Sequence, residues 1–440
     1  MCKRLKATYP SGSTKNPGGS PKEGDAAVRK KTPAAPPPSM PTWETLEEFV
    51  RTKIQATMQA VLEEELTSFL GRGKSERRAG VDPAPGYRNG RGKPRKLALS
   101  CGTIELRRPR ARNLEERFES RVLPLFARQS REVAALLPEL YLHGLSKGDF
   151  ELALRGLLGE GAALSSGSIE RLRGKWQADY DAWSTRDLSD RELVYVWADG
   201  VYVKAGLERE KAALLVVIGA LADGTKEVLA VVAGYRESTE SWKTLFADLK
   251  ARGLDTPKLM VADGAAGAWA AASAVWPQTR EQRCWNHRLV NVLDQLPKKV
   301  RAMAGEMLCT IPYAPSRAEA LKRRQRFVKA FRRTHPKAVA ILEKDWERMV
   351  AFYDFPKEHW KHLRTTNVVE SPFAAVRLRT NAAKRFKKTQ NATAMIWRLL
   401  LVAEKRFRKI DAPHRAAEVY RGLVFEDGVR ITKSNQRAAA

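Results

Sequence analysis

The sequence predicts a mixed α/β chain. A strand-rich central domain is interrupted by a helical insertion and preceded by a mainly helical, basic region. Three observations carry this. Apolar runs at 193–203, 212–222, 226–234 and 258–264 are broken by Asp-Gly turns or by amphipathic segments. The flanking stretches repeat apolar residues at three- and four-residue steps. The 440 residues hold 79 Lys+Arg against 50 Asp+Glu, a net charge of +29, with a pI near 10.1. Such a surplus repels itself unless a polyanion compensates it, which points to nucleic acid. An anionic membrane surface would also compensate, but the longest apolar run, 212–222, is too short to span a bilayer. The N-terminus lacks the apolar core of a signal peptide, and four scattered cysteines (2, 101, 284 and 309) make no disulfide scaffold. An intracellular protein with no membrane role is expected, with room for roughly three domains.

In chain order, residues 1–41 are rich in Pro, Gly, Ser and Lys and read as a disordered basic tail, either a linker or a source of nonspecific DNA affinity. Trp43, Leu46, Val50, Ile54, Met58, Val61, Leu62, Leu66 and Phe69 then set a helical stripe, with Thr42 as N-cap and Gly71 as terminator. Such a stripe is core or a dimer seam. Residues 71–75 half match a phosphate-binding loop, but Ser68 stands where its first glycine belongs, so ATP binding is rejected. Residues 86–93 form a glycine-rich basic loop with Arg88 and Arg91 as candidate DNA contacts. A hairpin turns at Cys101-Gly102, and 107–112 extends the positive surface. Helices follow at 132–145 and 146–158. After a turn at 159–164, Ser165 caps a third, which carries Ser166, Ser168, Arg171, Arg173 and Lys175. This is either a helix-turn-helix with those five side chains on its recognition helix or a plain bundle.

The central domain opens on Leu193–Val203, where Asp199 interrupts an apolar strand. A lone buried carboxylate needs compensation, so Asp199 is either a turn residue beside Gly200 or a metal ligand. Strands at 212–222 and 226–234, a helix at 238–252, a strand at 258–264, a helix at 265–276 and a strand at 281–285 complete the order. Three hairpin-connected strands, then helix, strand, helix, strand, is the order of a ribonuclease-H-like domain. The fourth strand also ends in Ala-Asp-Gly, at Asp263, which favours the metal-ligand reading of Asp199. Residues 287–364 are helical and basic, with a capping box at Ser316-x-x-Glu319. Asn367 or Ser371 caps the next helix, which places Glu370 near a helix start. A last helix covers 393–408, and 411–440 fades into a basic tail.

Carboxylates converging from separate elements of one sheet can bridge two Mg²⁺ ions for displacement at phosphorus. Asp199, Asp263 and Glu370 are placed to do so. At these residues the chain resembles the mutator-type bacterial insertion-sequence transposases with a DDE active site. The resemblance runs from about Trp43 to Arg408. Its blocks are Gly86-Tyr87-Arg88-Asn89-Gly90, the Asp199 strand with Val201-Tyr202-Val203-Lys204, Asp263, 282–287, 352–356 and Arg364-Thr365-Thr366-Asn367-x-x-Glu370. It departs at Ser371-Pro372-Phe373, where many members have Arg-Leu-Asn. The resemblance implies that Asp199, Asp263 and Glu370 are catalytic and hold Mg²⁺, with Mn²⁺ as substitute. It implies cut-and-join chemistry on double-stranded DNA, with the N-terminal region, 42–185, reading terminal inverted repeats. It also implies a bacterial, nucleoid-associated location and a homodimer or larger synaptic complex to pair two ends. The catalytic domain would comprise 190–286 and 365–410, with 287–364 as the insertion.

Cys284-x-x-His287 supplies two zinc ligands where four are needed, so zinc is not expected. The family carries this signature beside its active site, which makes Cys284 and His287, with Asn367, active-site support: a structural buttress, with direct catalysis by His287 the alternative. Trp285, Trp346 and Trp360 read as core, with Trp360 the best of them to stack on an unpaired base. A structure-selective nuclease on the same fold, and a catalytically silent DNA-binding repressor, are the competing functions.

Overall fold

The structure, a computed structural model, describes residues 41–76, 86–145, 153, 155, 158, 166–205, 212–234, 237–264, 266–383, 386 and 388–431. The expected tail up to residue 40 lies outside these, as do most of the helix at 146–158, its following turn, Ser165, and the side chains of Ser166 and Ser168. The chain forms two compact units, which divide between Glu170 and Arg171.

In the N-terminal unit, helix α1 (Leu46–Leu70) lies against a hairpin of β2 (Arg95–Leu99) and β3 (Gly102–Leu106). Leu62, Leu97, Ile104, Leu106 and Leu123 make the core, with Ile54 and Met58 partly buried against it. The hairpin is short, so it covers only part of the apolar stripe, and Trp43, Leu46, Phe49 and Val50 stay exposed. Edge strand β3 has backbone groups to satisfy, and α1 supplies them: the Gln59 amide bonds both N–H and C=O of Arg107, while Gln55 Oε1 accepts from Glu105 N. The cap differs from expectation. Thr45, not Thr42, occupies it, without a side-chain cap bond; its hydroxyl and N–H turn back to Thr42 instead. The expected basic loop is also structured. β1 (Tyr87–Arg91) pairs antiparallel with β4 (Pro109–Arg112). Helix α2 (Arg131–Leu142) starts at Ser130, whose Oγ accepts from Val133 N.

The second unit is built on one five-stranded sheet in the order β7-β6-β5-β8-β9. Its strands are β5 (Leu193–Val203), β6 (Ala212–Leu221), β7 (Lys226–Gly234), β8 (Leu259–Ala262) and β9 (Arg280–Arg283). β5, β6 and β7 are antiparallel neighbours; β8 and β9 run parallel to β5. β5 and β6 are covered on both faces, which is why their sequences read as continuous apolar runs. On one face, Trp242, Leu245, Phe246 and Leu249 of α4 (Thr239–Ala251) and Ala268, Trp269 and Ala272 of α5 (Ala266–Val275) pack with Val196 and Ala198. On the other face, the Tyr195 hydroxyl meets His359 Nδ1 at 2.8 Å and Trp197 Nε1 donates to the His362 carbonyl at 3.0 Å. The alternation along a strand therefore points Asp199 toward the face of Tyr195 and Trp197. Helix α3 (Ser166–Ser184), which crosses the division, lays Tyr180 and Trp183 against Trp397.

After β9 the chain is helical: α6 (Trp285–Asp294), α7 (Lys298–Thr310), α8 (Arg317–Phe331), α9 (Pro336–Glu343), α10 (Trp346–Val350) and α11 (Trp360–Leu363), with short 3₁₀ turns between. Ser316 caps α8 through Glu319 N, as expected. β9 ends at Arg283, shorter than expected, and Cys284 is the N-cap of α6. Polar contacts fasten this segment to the sheet. Gln282, fully buried, donates to the Met349 carbonyl and accepts from Phe352 N, and Trp285 Nε1 also donates to Met349 O. Asp345, at a left-handed φ of 56°, binds Arg283 and the buried Arg288.

Two further expectations fail, and the core reading of Trp360 prevails over base stacking. Neither Asn367 nor Ser371 caps the late helix. Thr366 is the N-cap of a single turn, α12 (Asn367–Glu370), and Ser371-Pro372 separates it from α13 (Phe373–Ala383). Pro372 lacks an N–H, which interrupts the helical hydrogen-bond ladder there, although Ser371 keeps α-region dihedrals of φ −57° and ψ −47°. Trp360 is core: it is 2% exposed, bonded to the Phe355 carbonyl and edge-on to Phe352 and Tyr353, so it is not free to stack on a base. The basic C-terminal tail is folded up to residue 431. After α14 (Thr389–Glu404), α15 (Pro413–Tyr420) buries Ala416 and Val419, and a two-residue hairpin, β10 (Phe425–Glu426) with β11 (Val429–Arg430), bonds to Tyr353 and Lys357 through Gly428. Apolar residues three apart, Ala416 and Val419, give that segment a buried face despite its charge.

Candidate active site

The last parallel rungs between β5 and β8 are Trp197↔Val261 and Ala198↔Ala262. Asp199 and Asp263 are each the next residue, so the two carboxylates stand abreast where β8 ends. They sit on the face opposite the α4–α5 core. Gly200 N donates to Asp199 Oδ1 at 2.8 Å. Burial raises the Asp199 carboxyl to a pKa of about 7, and Asp263, Glu370 and Glu237 push the same way. These influences identify the groups that share the site. Gly264 follows Asp263 at φ 104°, and a Cβ there would strike the Arg283 side chain, so glycine is required.

Glu370 reaches the site from the single turn α12. The Thr366 hydroxyl donates to Glu370 Oε1 and lies 3.1 Å from Cys284 Sγ, while Thr366 N donates to that sulfur at 3.3 Å. Cys284 and Thr366 are fully buried. His287, one helical turn after Cys284, is partly exposed and places Nδ1 3.8 Å from Glu370 Oε1. Its pKa rises to about 9, chiefly through its hydrogen bond with Cys284, with Glu370 and Asp263 adding to it. Asn286 Nδ2 donates to Asn367 Oδ1 at 3.1 Å and ties α6 to α12. The segment between them folds back so that Trp285 N bonds the Arg364 carbonyl.

The fold thus brings together Asp199, Asp263, Glu370, Cys284 and His287, with Asn367 on the same short turn as Glu370. Two participants escaped sequence reasoning. Glu237 directly precedes the α4 N-cap Ser238, and its carboxylate lies so close over Gly200 that any side chain there would collide with it. It pairs with the Tyr202 hydroxyl, and burial and Asp263 raise its pKa. Thr366 was visible only as part of a motif, since a hydroxyl that bridges a thiol and a carboxylate leaves no spacing signal.

The expected DNA contacts lie elsewhere. Arg88 and Arg91 both pair with Glu63 of α1, and Arg88 also donates to Thr67 Oγ1. Arg171 and Lys175 are exposed on α3, with Arg173 partly covered.

A parallel strand pair that ends in adjacent aspartates, joined by a glutamate from a short turn after the helical segment, defines a polar, acid-lined site on an α/β sheet. Residues 38–409 match the family model for the transposase Mutator family. The transposase for insertion sequence element IS6120 of Mycolicibacterium smegmatis is 45% identical over 300 residues, 67% of this chain and 92% of that protein. The transposase for IST2 of Acidithiobacillus ferrooxidans is 41% identical over 279 residues, 63% and 94% respectively. Among solved structures, the Drosophila P element transposase strand transfer complex aligns over 65% of this chain and 84% of its own, at 11% identity and a TM-score of 0.26. The chain belongs to the Mutator family of transposases. Its expected function as a DNA transposase agrees with that membership. Among the described residues no helix is long and apolar enough to cross a membrane.

Proposed function

We propose that the chain cuts and joins the terminal inverted repeats of an insertion sequence through a DDE site on a ribonuclease-H-like domain. Asp199, Asp263 and Glu370 would hold Mg²⁺, with Mn²⁺ able to replace it. The supporting observation is the register. The Ala198↔Ala262 rung leaves two aspartates abreast, and Glu370 is among the charges acting on Asp199. The donor set fits a hard divalent cation, because it consists of carboxylates that burial and mutual repulsion leave short of positive charge. Bound ions would activate the attacking oxygen and offset charge at phosphorus. The strands fix Asp199 and Asp263. Thr366 orients one oxygen of Glu370. His287, held protonated at neutral pH by its surroundings, presents positive charge beside Glu370. Element order supports the domain assignment: three antiparallel strands, helix, strand, helix, strand, with the remaining acid supplied after an insertion.

In this reading Cys284 and His287 divide the support role. Cys284, buried and bonded by the Thr366 N–H, is the buttress; His287, open to solvent, is nearer the chemistry. The N-terminal unit would bind the repeats, and two chains would pair two ends. The test uses DNA that bears the element ends. Asp199→Asn, Asp263→Asn and Glu370→Gln should each abolish Mg²⁺-dependent cleavage and leave end binding intact. Wild-type-like cleavage by one of them removes that residue from the site. A nuclease would yield cut ends without joined product, and a silent repressor would yield neither.

A further inference from the structure

We propose that Cys284, His287 and Glu370 form a second, softer metal site that takes a Zn²⁺-class ion and thereby withdraws Glu370 from the aspartates, switching cleavage off. The switching part rests on the reading of Glu370 as a catalytic carboxylate; the binding part does not.

Sequence spacing alone offers two ligands, and the fold supplies the third. The donor atoms of the three residues all lie within 4.8 Å of one another. A tetrahedral zinc ion with one sulfur, one nitrogen and one oxygen ligand sets its donors about 3.3–3.8 Å apart. The His287 to Glu370 pair, at 3.8 Å, is at that spacing, and the sulfur lies within 4.8 Å of both. The donors sit on fixed positions. Cys284 is the N-cap of α6, His287 lies one turn on, and Glu370 ends α12. The sulfur receives the Thr366 N–H at 3.3 Å, the kind of outer hydrogen bonding that orients a metal-bound thiolate. His287 Nδ1 is shielded from solvent and faces Glu370 Oε1 at 3.8 Å. Three protein ligands leave a fourth position for water, and the partly exposed His287 and Glu370 provide the entry side.

Selectivity follows from the donors. Mg²⁺ demands six oxygens in near-octahedral array, whereas thiolate and imidazole favour zinc. Glu370 is therefore shared between a hard site with Asp199 and Asp263 and a soft site with Cys284 and His287. A soft ion bound to Glu370 Oε1 takes that oxygen from the hard site, and its positive charge opposes a second cation beside the aspartates.

Cd²⁺ is the binding probe, because its thiolate complex has an ultraviolet charge-transfer band. Full-length, metal-free protein carrying Cys2→Ser, Cys101→Ser and Cys309→Ser, so that Cys284 is its one remaining thiol, is titrated with Cd²⁺. One band per chain is expected from Cys284. It should vanish in Cys284→Ala and bind about tenfold more weakly in His287→Ala and Glu370→Gln. An undiminished band in Cys284→Ala, or unchanged affinity in the other two, overturns the site. Should Cys284→Ala not fold, the two partly exposed positions still decide it. The second arm follows cleavage in excess Mg²⁺ as Zn²⁺ is added. At least about tenfold inhibition, reversed by a zinc-selective chelator, is expected, in line with the loss that follows disturbing a ligand's support. Cd²⁺ binding without Zn²⁺ inhibition overturns the switch. If Glu370→Gln still cleaves, the catalytic reading falls while the Cd²⁺ site stands. A missing band with a dead Glu370→Gln does the reverse.

Discussion

Asp199 carries the charge balance of the site. Burial and three neighbouring acids hold its carboxyl near pKa 7 in the folded chain, against about 3.9 unfolded. Between those values the folded state keeps a proton that the unfolded chain has lost. Metal-free stability should therefore fall as pH rises from about 4 to 7 and stay lowest above 7. The expected outcome is a melting temperature that declines from pH 5 to 8 in wild type but much less in Asp199→Asn. Over that pH range the difference should be on the order of 2–3 kcal/mol, and Mg²⁺ should recover part of it above pH 7. A gap that does not vary with pH would detach Asp199 from this argument. Thr366 makes a second claim at this scale. Thr366→Val removes the hydroxyl that orients Glu370 and should slow cleavage about 10- to 100-fold while raising the Mg²⁺ needed for half-maximal rate. Thr366→Ser should restore both. Slow cleavage at an unchanged Mg²⁺ requirement would make Thr366 a packing residue only.

At the scale of elements, what is legible in the sequence follows from where the information sits. The five strands and the helices at 239–251 and 266–275 announce themselves because apolar runs and periodicity are local. The boundaries near Glu370 are not legible. Ser371-Pro372 divides one expected helix into a turn and a helix, and the N-cap at Thr366 is set by contacts with Cys284, 82 residues earlier in the chain. Trp360 looks available to a base because its neighbours in sequence are polar, whereas its neighbours in space are Phe352 and Tyr353. Asp199 and Asp263 are readable from a repeated Ala-Asp-Gly; Glu237 is not, because nothing in the charged stretch around it marks one acid over the next. The packing of α6 on α12 also separates two residues that sequence treats as one unit. Cys284→Ala should lower melting temperature and cleavage together, since a buried sulfur that accepts the Thr366 N–H is lost. His287→Ala should leave melting nearly unchanged and slow cleavage, with the pH profile altered on its alkaline side, where the imidazolium of pKa about 9 would have deprotonated. Parallel losses of stability in both variants would return His287 to the buttress.

The molecule as a whole carries a net charge of +29, and its placement matters more than its size. Arg88 and Arg91 share one carboxylate, Glu63, which offsets one of their two charges, so the basic loop that looks most exposed in sequence contributes less than its count. A groove of about 670 Å³ in the same unit is lined by Lys93, Arg95, Arg108, Arg110, Arg112 and Arg117, with Glu119 beside them. Burial, followed by Arg108 and Arg128, lowers the pKa of Arg95, a sign that these cations crowd one another. Bringing a phosphate backbone against such a groove relieves that repulsion and releases condensed counterions. Removing one phosphate-binding cation should reduce the slope of log affinity against log salt by about 1 and weaken all sequences alike. Arg110→Ala and Arg112→Ala are therefore expected to flatten the salt dependence of binding to random and end-bearing DNA equally. Arg171→Ala and Arg173→Ala on α3 should weaken end-bearing DNA selectively, by about 1–3 kcal/mol, if that helix reads bases. Titrations of both variant pairs at several salt concentrations, on both DNAs, separate the roles. An unchanged slope in the groove variants would move the backbone contacts away from the β1–β4 pair. Equal losses on the two DNAs in the α3 variants would make that helix a phosphate clamp.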